Sequence, residues 1–417
     1  MRFYSIGVLG LRTNRILIAI SNPTTFYAIK NDIVKLRDKN EVDLVIINSY
    51  GAEVVKTMER ILSDHKLRAQ TLDTVSKRSY KILLEPYPII TNINAEFRIR
   101  FEYGVTPAYV KPNPVYSPEW NLLYDAVLCY SHIAADILSA CTRPYIIKPL
   151  QFSDFKPHRK VPNVTNLLIL FTWGDVSATQ KLSSMKERLG KRYRFIVKAH
   201  HGIEYLPEYK NAIKELKSVA DEYYDASTNV NELFSLADIV VTDNSSAVFT
   251  AIYLGIPAVI FTEANSEYHN LNGIKAAHFS LLIEPKRVPF TSKISEVCDR
   301  IEEASTNIIN QNKLKNELFP ASKTTLVDVV ELYKNIDRSQ EPYYIIRDMI
   351  LNKIKLGEED LLEQKEMVDV LKKRNDVLEQ RNEDLIKQIK SYNGVKQSIR
   401  LVINNTSRYF RQKRGLK

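Results

Sequence analysis

Short runs of branched and aromatic residues alternate with stretches of helical period along most of the chain. The runs 16–20, 43–47, 81–85, 98–101, 124–129 and 145–147 are apolar at their centres and end in polar or turn-forming residues. Between the first two, Phe26, Ile29, Ile33, Val34 and Leu36 recur at the spacing of one helix face, predicting a helix over 25–38. Residues 52–64 and 132–140 read as further helices. Strands that are apolar throughout belong to parallel sheets buried on both faces, so the alternation predicts an α/β layer structure. After residue 163 it restarts. Strands are expected at 167–171, 193–198, 239–241 and 258–261, with helices at 178–189, 231–237 and 247–253. Two Rossmann-like domains follow from this, 1–155 and 163–305, joined by the proline-bearing stretch 149–163.

The most organised stretch runs from Ala237 to Phe261. A buried strand, Ile239 to Val241, leads into Thr242, Asp243, Asn244, Ser245 and Ser246, all of them cap-forming residues. A short apolar helix follows, Gly255 suits its C′ position, and Pro257 stops it before the next strand. A helix start offers N–H groups and about half a positive charge, which suits a phosphate. Ser245 and Ser246 could add hydroxyl donors; equally, one of them could merely cap the helix.

Thr242 to Ser246, followed by Gly255, Ile256 and Pro257, resembles the Thr-Asp-Tyr-Ser-Ser…Pro signature of the CDP-glycerol glycerophosphotransferase family. That family builds teichoic acids and related surface polymers on two Rossmann-like domains facing across a cleft, the GT-B arrangement. Lys198 and His200 match its Lys-Pro-His-Pro motif, and Glu267, Tyr268 and Gly273 match a loop that holds Glu-Glu-Tyr and Arg-Gly. Thr172 and Trp173 match a Pro-Thr-Trp-Arg element. The resemblance covers roughly residues 95–305. It departs at Glu102, Tyr103 and Gly104, where the family has Trp-His-Gly with the histidine as base.

These matches imply a site. Lys198 and His200, at a strand's C-terminal end, suit a donor diphosphate, and a hydrogen-bond-donating His200 would stabilise leaving-group charge. Asp243, Ser245, Ser246 and Glu267 complete the expected donor contacts. With the family histidine replaced, Glu102 is the nearest substitute base; alternatively it pairs with Arg98, Arg100 or Lys111. His200 and His201 lack a third metal ligand at suitable spacing, so no metal is expected. No Gly-rich fingerprint follows the first strand, so no dinucleotide cofactor is expected either.

Composition narrows the partners. The 417 residues carry a formal net charge of +10, which suits nucleotides, phosphorylated lipids or an anionic membrane surface. No nucleic-acid-binding motif is present. Cys129, Cys141 and Cys298 form no metal or redox spacing and fit a reducing compartment. The apolar stretch before Arg12 is too short for a signal peptide, and no run reaches the length of a membrane span.

The last part of the chain reads differently. Residues 306–356 hold an amphipathic helix expected to cross back to the first domain. In 357–393 a heptad places Leu361, Val368, Asn375, Asn382 and Ile389 at a, and Gln364, Leu371, Leu378, Leu385 and Tyr392 at d. That is a coiled coil, and asparagines at a favour a parallel homodimer. The tail from 394 holds seven basic residues and no acidic one within 395–417, with Ile399, Val402, Ile403, Tyr409 and Phe410 as apolar surface. It suits an anionic membrane.

The reading is a transferase at the cytoplasmic face of the membrane. It passes a sugar or polyol-phosphate unit from a nucleotide-diphosphate donor to a lipid-linked or growing surface glycan. Three rivals stand beside it: a polyol-phosphate transferase proper, a nucleotide-sugar epimerase of similar architecture, and a non-catalytic coiled-coil scaffold.

Overall fold

The computed structural model describes residues 13–349, apart from 48–50, 88–92, 108–120, 158–163, 172–180, 201–203, 205, 207–208, 244, 263–269, 272–273 and 276–278. Both sheets lie in one unit, Met1–Glu341. Residues 342–417 form a second unit, helical over its described part, 342–349. The heptads of 357–393, the tail 394–417, Glu267, His201 and the Thr172–Trp173 element fall outside the described residues.

The first sheet is built from β1 (Ile16–Ile20), β2 (Val42–Ile46), β3 (Ser79–Glu85), β4 (Asn94–Phe101), β5 (Ala126–Cys129) and β6 (Arg143–Ile146). Their order is β2-β1-β3-β4-β5-β6, and every pairing is parallel. Helix α1 (Pro23–Arg37) starts with a capping box between Asn22 and Thr25, with Pro23 in its first turn, and buries Phe26, Ile29, Ile33 and Leu36. Around the same sheet lie α2 (Ala52–Asp64), α3 (Leu72–Ser76) and α4 (His132–Leu138).

The second sheet comprises β7 (Thr165–Leu170), β8 (Tyr193–Lys198), β9 (Glu222–Tyr224), β10 (Ile239–Thr242), β11 (Ala258–Phe261) and, beyond a small hairpin β12 (Asn270–Leu271) and β13 (Ile274–Lys275), β14 (Phe290–Thr291). Its order, β14-β11-β10-β7-β8-β9, is that of a doubly wound dinucleotide-type sheet, again all parallel. Helices α5 (Leu182–Leu189), α6 (Lys210–Val219), α7 (Val230–Leu233), α8 (Ala247–Leu254), α9 (Val297–Thr306) and α10 (Ile308–Leu318) accompany it. Leu182, Met185, Leu216, Val297 and Ile301 close one core layer over β7, β8 and β10. α10 packs on α8.

Two connections join the sheets. Going out, the 3-10 turn Leu150–Phe152 buries both its ends; Asn31 Nδ2 on α1 donates to the Leu150 carbonyl at 3.0 Å, and the Phe152 ring meets Phe234 and Tyr253. Coming back, α11 (Leu326–Lys334) lies against α1 and β3 of the first sheet. The Tyr333 hydroxyl donates to the Asp125 carbonyl at 3.2 Å, and Arg338 reaches the Asp125 carboxylate at 2.6 Å. Lys148 N–H donates to the Thr324 carbonyl at 2.7 Å. The chain therefore returns to the domain it started from.

Candidate active site

In an open α/β sheet, ligands collect beyond the C-terminal strand ends where the strand order reverses. In the second sheet that reversal lies between β7 and β10, with β8 on the far side of β7. Thr242, the last residue of β10, donates through Oγ1 to the Leu170 carbonyl at 2.9 Å, tying the two strand ends together. Asp243 is fully buried behind them.

The helix beyond is α8. Ser246 precedes it in helical conformation and its side chain caps nothing. Ser245 takes the local role instead, its Oγ accepting from Ala247 N–H at 3.3 Å. The two serines have thus parted: one serves the helix start, and the other is not spent on it. Gly255 ends the helix at φ +74°, a left-handed conformation that glycine adopts without strain.

Lys198 ends β8 and is 5% exposed. Its Nζ donates to the Ala199 carbonyl at 3.2 Å and makes no ion pair among the described residues. Burial lowers its pKa to about 8, opposed by Glu204 and Asp225 at longer range. Those carboxylates are engaged elsewhere. Glu204 accepts from the Tyr223 hydroxyl and from Ala226 N–H, and Asp225 accepts from Ser227. His200 follows two residues on, half-buried. Lys198, His200, Asp243, Ser245 and Ser246 therefore share one edge of the second sheet, on either side of β7.

Glu102 follows β4 in the first sheet and is 7% exposed. Burial raises its pKa, and Arg100 lowers it. Arg100 Nη2 donates to Glu102 Oε1 at 2.7 Å, while its Nε and Nη1 hold the Pro86 carbonyl and Asn121. Of the three cations named from sequence, Arg100 is its ion-pair partner; Arg98 pairs with Glu85, and Lys111 lies outside the described residues.

Two residues gain significance only in three dimensions. A Cβ placed on Gly104 would lie 3.3 Å from Ser246 Oγ, so the loop after β4 and the start of α8 meet across the gap between the sheets. Tyr87 and Tyr103 stand beside that meeting point, ring centroids 6.5 Å apart and 74° between planes. Tyr103 stands where the resembled motif has its histidine, whereas no period or motif singles out Tyr87 in sequence.

Residues 173–281 match the family of CDP-glycerol:poly(glycerophosphate) glycerophosphotransferases. Over that segment the chain resembles the glycerophosphotransferases in divergent form. Its GT-B fold is shared with the wall teichoic acid polymerase TagF, at 12% identity and a TM-score of 0.51 over 84% of this chain and 90% of that one. A form of TagF with an H444N change, soaked with CDPG, gives 13% identity and the same TM-score over 83% and 90%. A UDP-GlcNAc 2-epimerase from Neisseria meningitidis is more distant, at 14% identity and a TM-score of 0.48 over 77% and 100%. No curated protein matches the sequence. The family match spans β8, β10 and α8, so it includes Lys198, His200, Asp243, Ser245 and Ser246 of this glycerophosphotransferase-like chain and leaves out Glu102. Among the described residues, no group of His, Cys, Asp and Glu is arranged to hold a metal.

Proposed function

We propose that this transferase moves a sugar, or a polyol phosphate, from a nucleotide-diphosphate donor to a glycan acceptor. The observation that carries this reading is Lys198: a buried ammonium without an ion pair among the described residues, at a strand end beside the order reversal of the second sheet. A charge in that setting gains from an arriving diphosphate what burial took from it. The Ser246 hydroxyl, unused by its helix, would bind the same group, and His200 would donate to the leaving phosphate. Asp243 would brace the β10 turn, and Glu267 would take donor hydroxyls.

On the acceptor side, Glu102 would act as base. Burial raises the pKa of its carboxyl against the opposing charge of Arg100, whose guanidinium also orients it. The heptads of 357–393 would make a parallel dimer, and residues 395–417 would hold it on the inner face of the membrane, where a lipid-linked acceptor is presented.

The deciding experiment is a thermal-shift series with CDP-, UDP-, GDP- and dTDP-linked donors, followed by a transfer assay with the one that binds. Stabilisation by one nucleotide class supports the reading. Indifference to all four removes the donor site and leaves the scaffold alternative.

A further inference from the structure

The two domains also meet at Tyr27. Its hydroxyl, on α1, donates to the Ser227 carbonyl at 3.2 Å, and Asn231 Nδ2 on α7 donates back to the Tyr27 carbonyl at 3.5 Å. The Tyr27 ring is half-buried and stands edge-on to His65, 6.1 Å between centroids, with Phe26 beside both. Charged groups reach this contact from each side: Lys30 on α1, Arg60 and Asp64 on α2, and Asp225 and Glu232 in the second domain.

Ser227 lies in the turn that leaves β9, the strand paired with β8 and its terminal Lys198. Asp225 closes that turn, its Oδ1 accepting from Ser227 N–H at 2.9 Å and from Ser227 Oγ at 2.5 Å. Ala226 N–H, in the same turn, donates to Glu204. Asp225 and Glu204 both act electrostatically on Lys198, yet Lys198 makes no ion pair among the described residues. Asp225 also feels Arg60 of the first domain. Carboxylates at that range favour the ammonium form of a buried lysine. Closer in, they would pair with it and repel an arriving anion. Their distance therefore matters, and the turn sets it.

We propose that Tyr27 is a positioning residue for the Lys198 site: from the first domain, its hydroxyl fixes the turn to which both of these carboxylates are tied. The role in donor binding rests on the transferase reading above; the hold on the turn does not. The chain of contacts runs from Tyr27 to the Ser227 carbonyl, from Ser227 to Asp225, and through Ala226 to Glu204. The first domain thereby conditions a cation that belongs to the second. Asp225 is exposed, so a freed turn averages over positions where solvent screens its charge. The ammonium of Lys198 then loses part of its support.

The test is a pH titration of the full chain, without donor, by NMR of lysine labelled with carbon-13 at Cε. The resonance missing from the Lys198→Met spectrum identifies Lys198. Its midpoint in the wild type is about 8. Tyr27→Phe removes the hydroxyl and keeps the ring against Phe26 and His65, so the fold is retained. It should lower the Lys198 midpoint by roughly 0.3–0.6 of a pH unit. Asp225→Asn, which removes one carboxylate directly, should lower it as well, and Tyr27→Phe added to Asp225→Asn should lower it by less than it does alone. A Tyr27→Phe midpoint that stays in place or rises overturns the proposal and reduces the contact to packing between domains. So does a full Tyr27→Phe effect in the Asp225→Asn background. The donor series reads separately. In Tyr27→Phe the pH at which donor affinity falls should move down with the midpoint. A chain that binds none of the four donors, while Tyr27→Phe still moves Lys198, sinks the transferase reading and leaves the hold on the turn standing.

Discussion

The two sheets offer opposite chemistry at equivalent edges. At the second, Lys198 is buried and makes no ion pair among the described residues, and Ser246 is released from capping. At the first, the charges on β4 and just after it pair internally: Arg100 with Glu102, Arg98 with Glu85. An edge that leaves a cation uncompensated is prepared for an anion. An edge that neutralises its own charges is prepared for a neutral ligand, or for a base held at an adjusted pKa. On the proposed reading, the donor belongs at the second edge and the acceptor at the first.

The largest expected effect tests the acceptor half of that contrast. Glu102→Gln keeps an oxygen for Arg100 and removes the base. Transfer should fall by roughly a hundredfold or more, with the donor melting shift unchanged. Near-normal turnover would reduce Glu102 to the ion pair with Arg100.

The donor half comes next. Lys198→Met, His200→Ala and Ser246→Ala should each weaken donor binding by about 1.5–3 kcal/mol, the scale of one charge-assisted hydrogen bond. Lys198 adds a pH signature. Its pKa without ligand is lowered to about 8, so its ammonium is lost as pH rises past that value. Donor affinity should fall between pH 8 and 10, and calorimetry in buffers of different ionisation enthalpy should show proton uptake on binding there. Lys198→Met should flatten both. The unliganded fold shows the opposite sign. The native state binds fewer protons than the unfolded chain above about 8, so Lys198 makes stability rise with pH over this window.

A smaller effect concerns a charge in the first domain that the pairing rule does not cover. Asp32 on α1 is 4% exposed, and its Oδ1 has no hydrogen-bond partner among the described residues. Burial raises its pKa to about 7, with Lys35 opposing and Asp328 adding. A carboxyl raised above its unfolded value stabilises the native state when protonated, and that contribution is lost as pH climbs from about 4 through 7. Asp32→Asn should therefore stabilise the fold by about 1–2 kcal/mol at pH 8, after the amide's own burial cost, and change its stability little at pH 4. Equal shifts at both pH values would show that the carboxyl does not titrate in this window.

Much of the architecture was legible because buried parallel strands are apolar throughout. Ile16–Ile20, Tyr193–Lys198 and Ala258–Phe261 fall where the sequence pattern places them, and Gly255 takes the expected left-handed position. Short or solvent-edged elements were missed. α3 buries Val75 alone among its five residues, and β9 and β14 are edge strands of three and two residues. The proposed donor residues stand out through local spacing at strand ends. The relation of Gly104 to Ser246, like that of Tyr87 to Tyr103, depends on which strands are neighbours and how the two sheets meet. Neither is encoded in any window of the sequence.

The smallest effect is the one that tests whether the two edges act on each other. Gly104 carries no positive φ, so alanine there costs no backbone strain and any effect is steric. The new methyl would lie 3.3 Å from Ser246 Oγ and 3.8 Å from its Cβ. A serine hydroxyl yields by rotating away from its preferred rotamer, at about 0.5–1.5 kcal/mol. Gly104→Ala should therefore slow transfer by roughly two- to twelvefold. The cost arises through the hydroxyl that Ser246 turns away, so it should disappear when that hydroxyl is already gone. In a double-mutant cycle, Gly104→Ala in a Ser246→Ala background should be nearly silent, giving a coupling close to the whole single-mutant effect. Additive losses would mean that the two loops do not meet during turnover and that the donor and acceptor edges work independently.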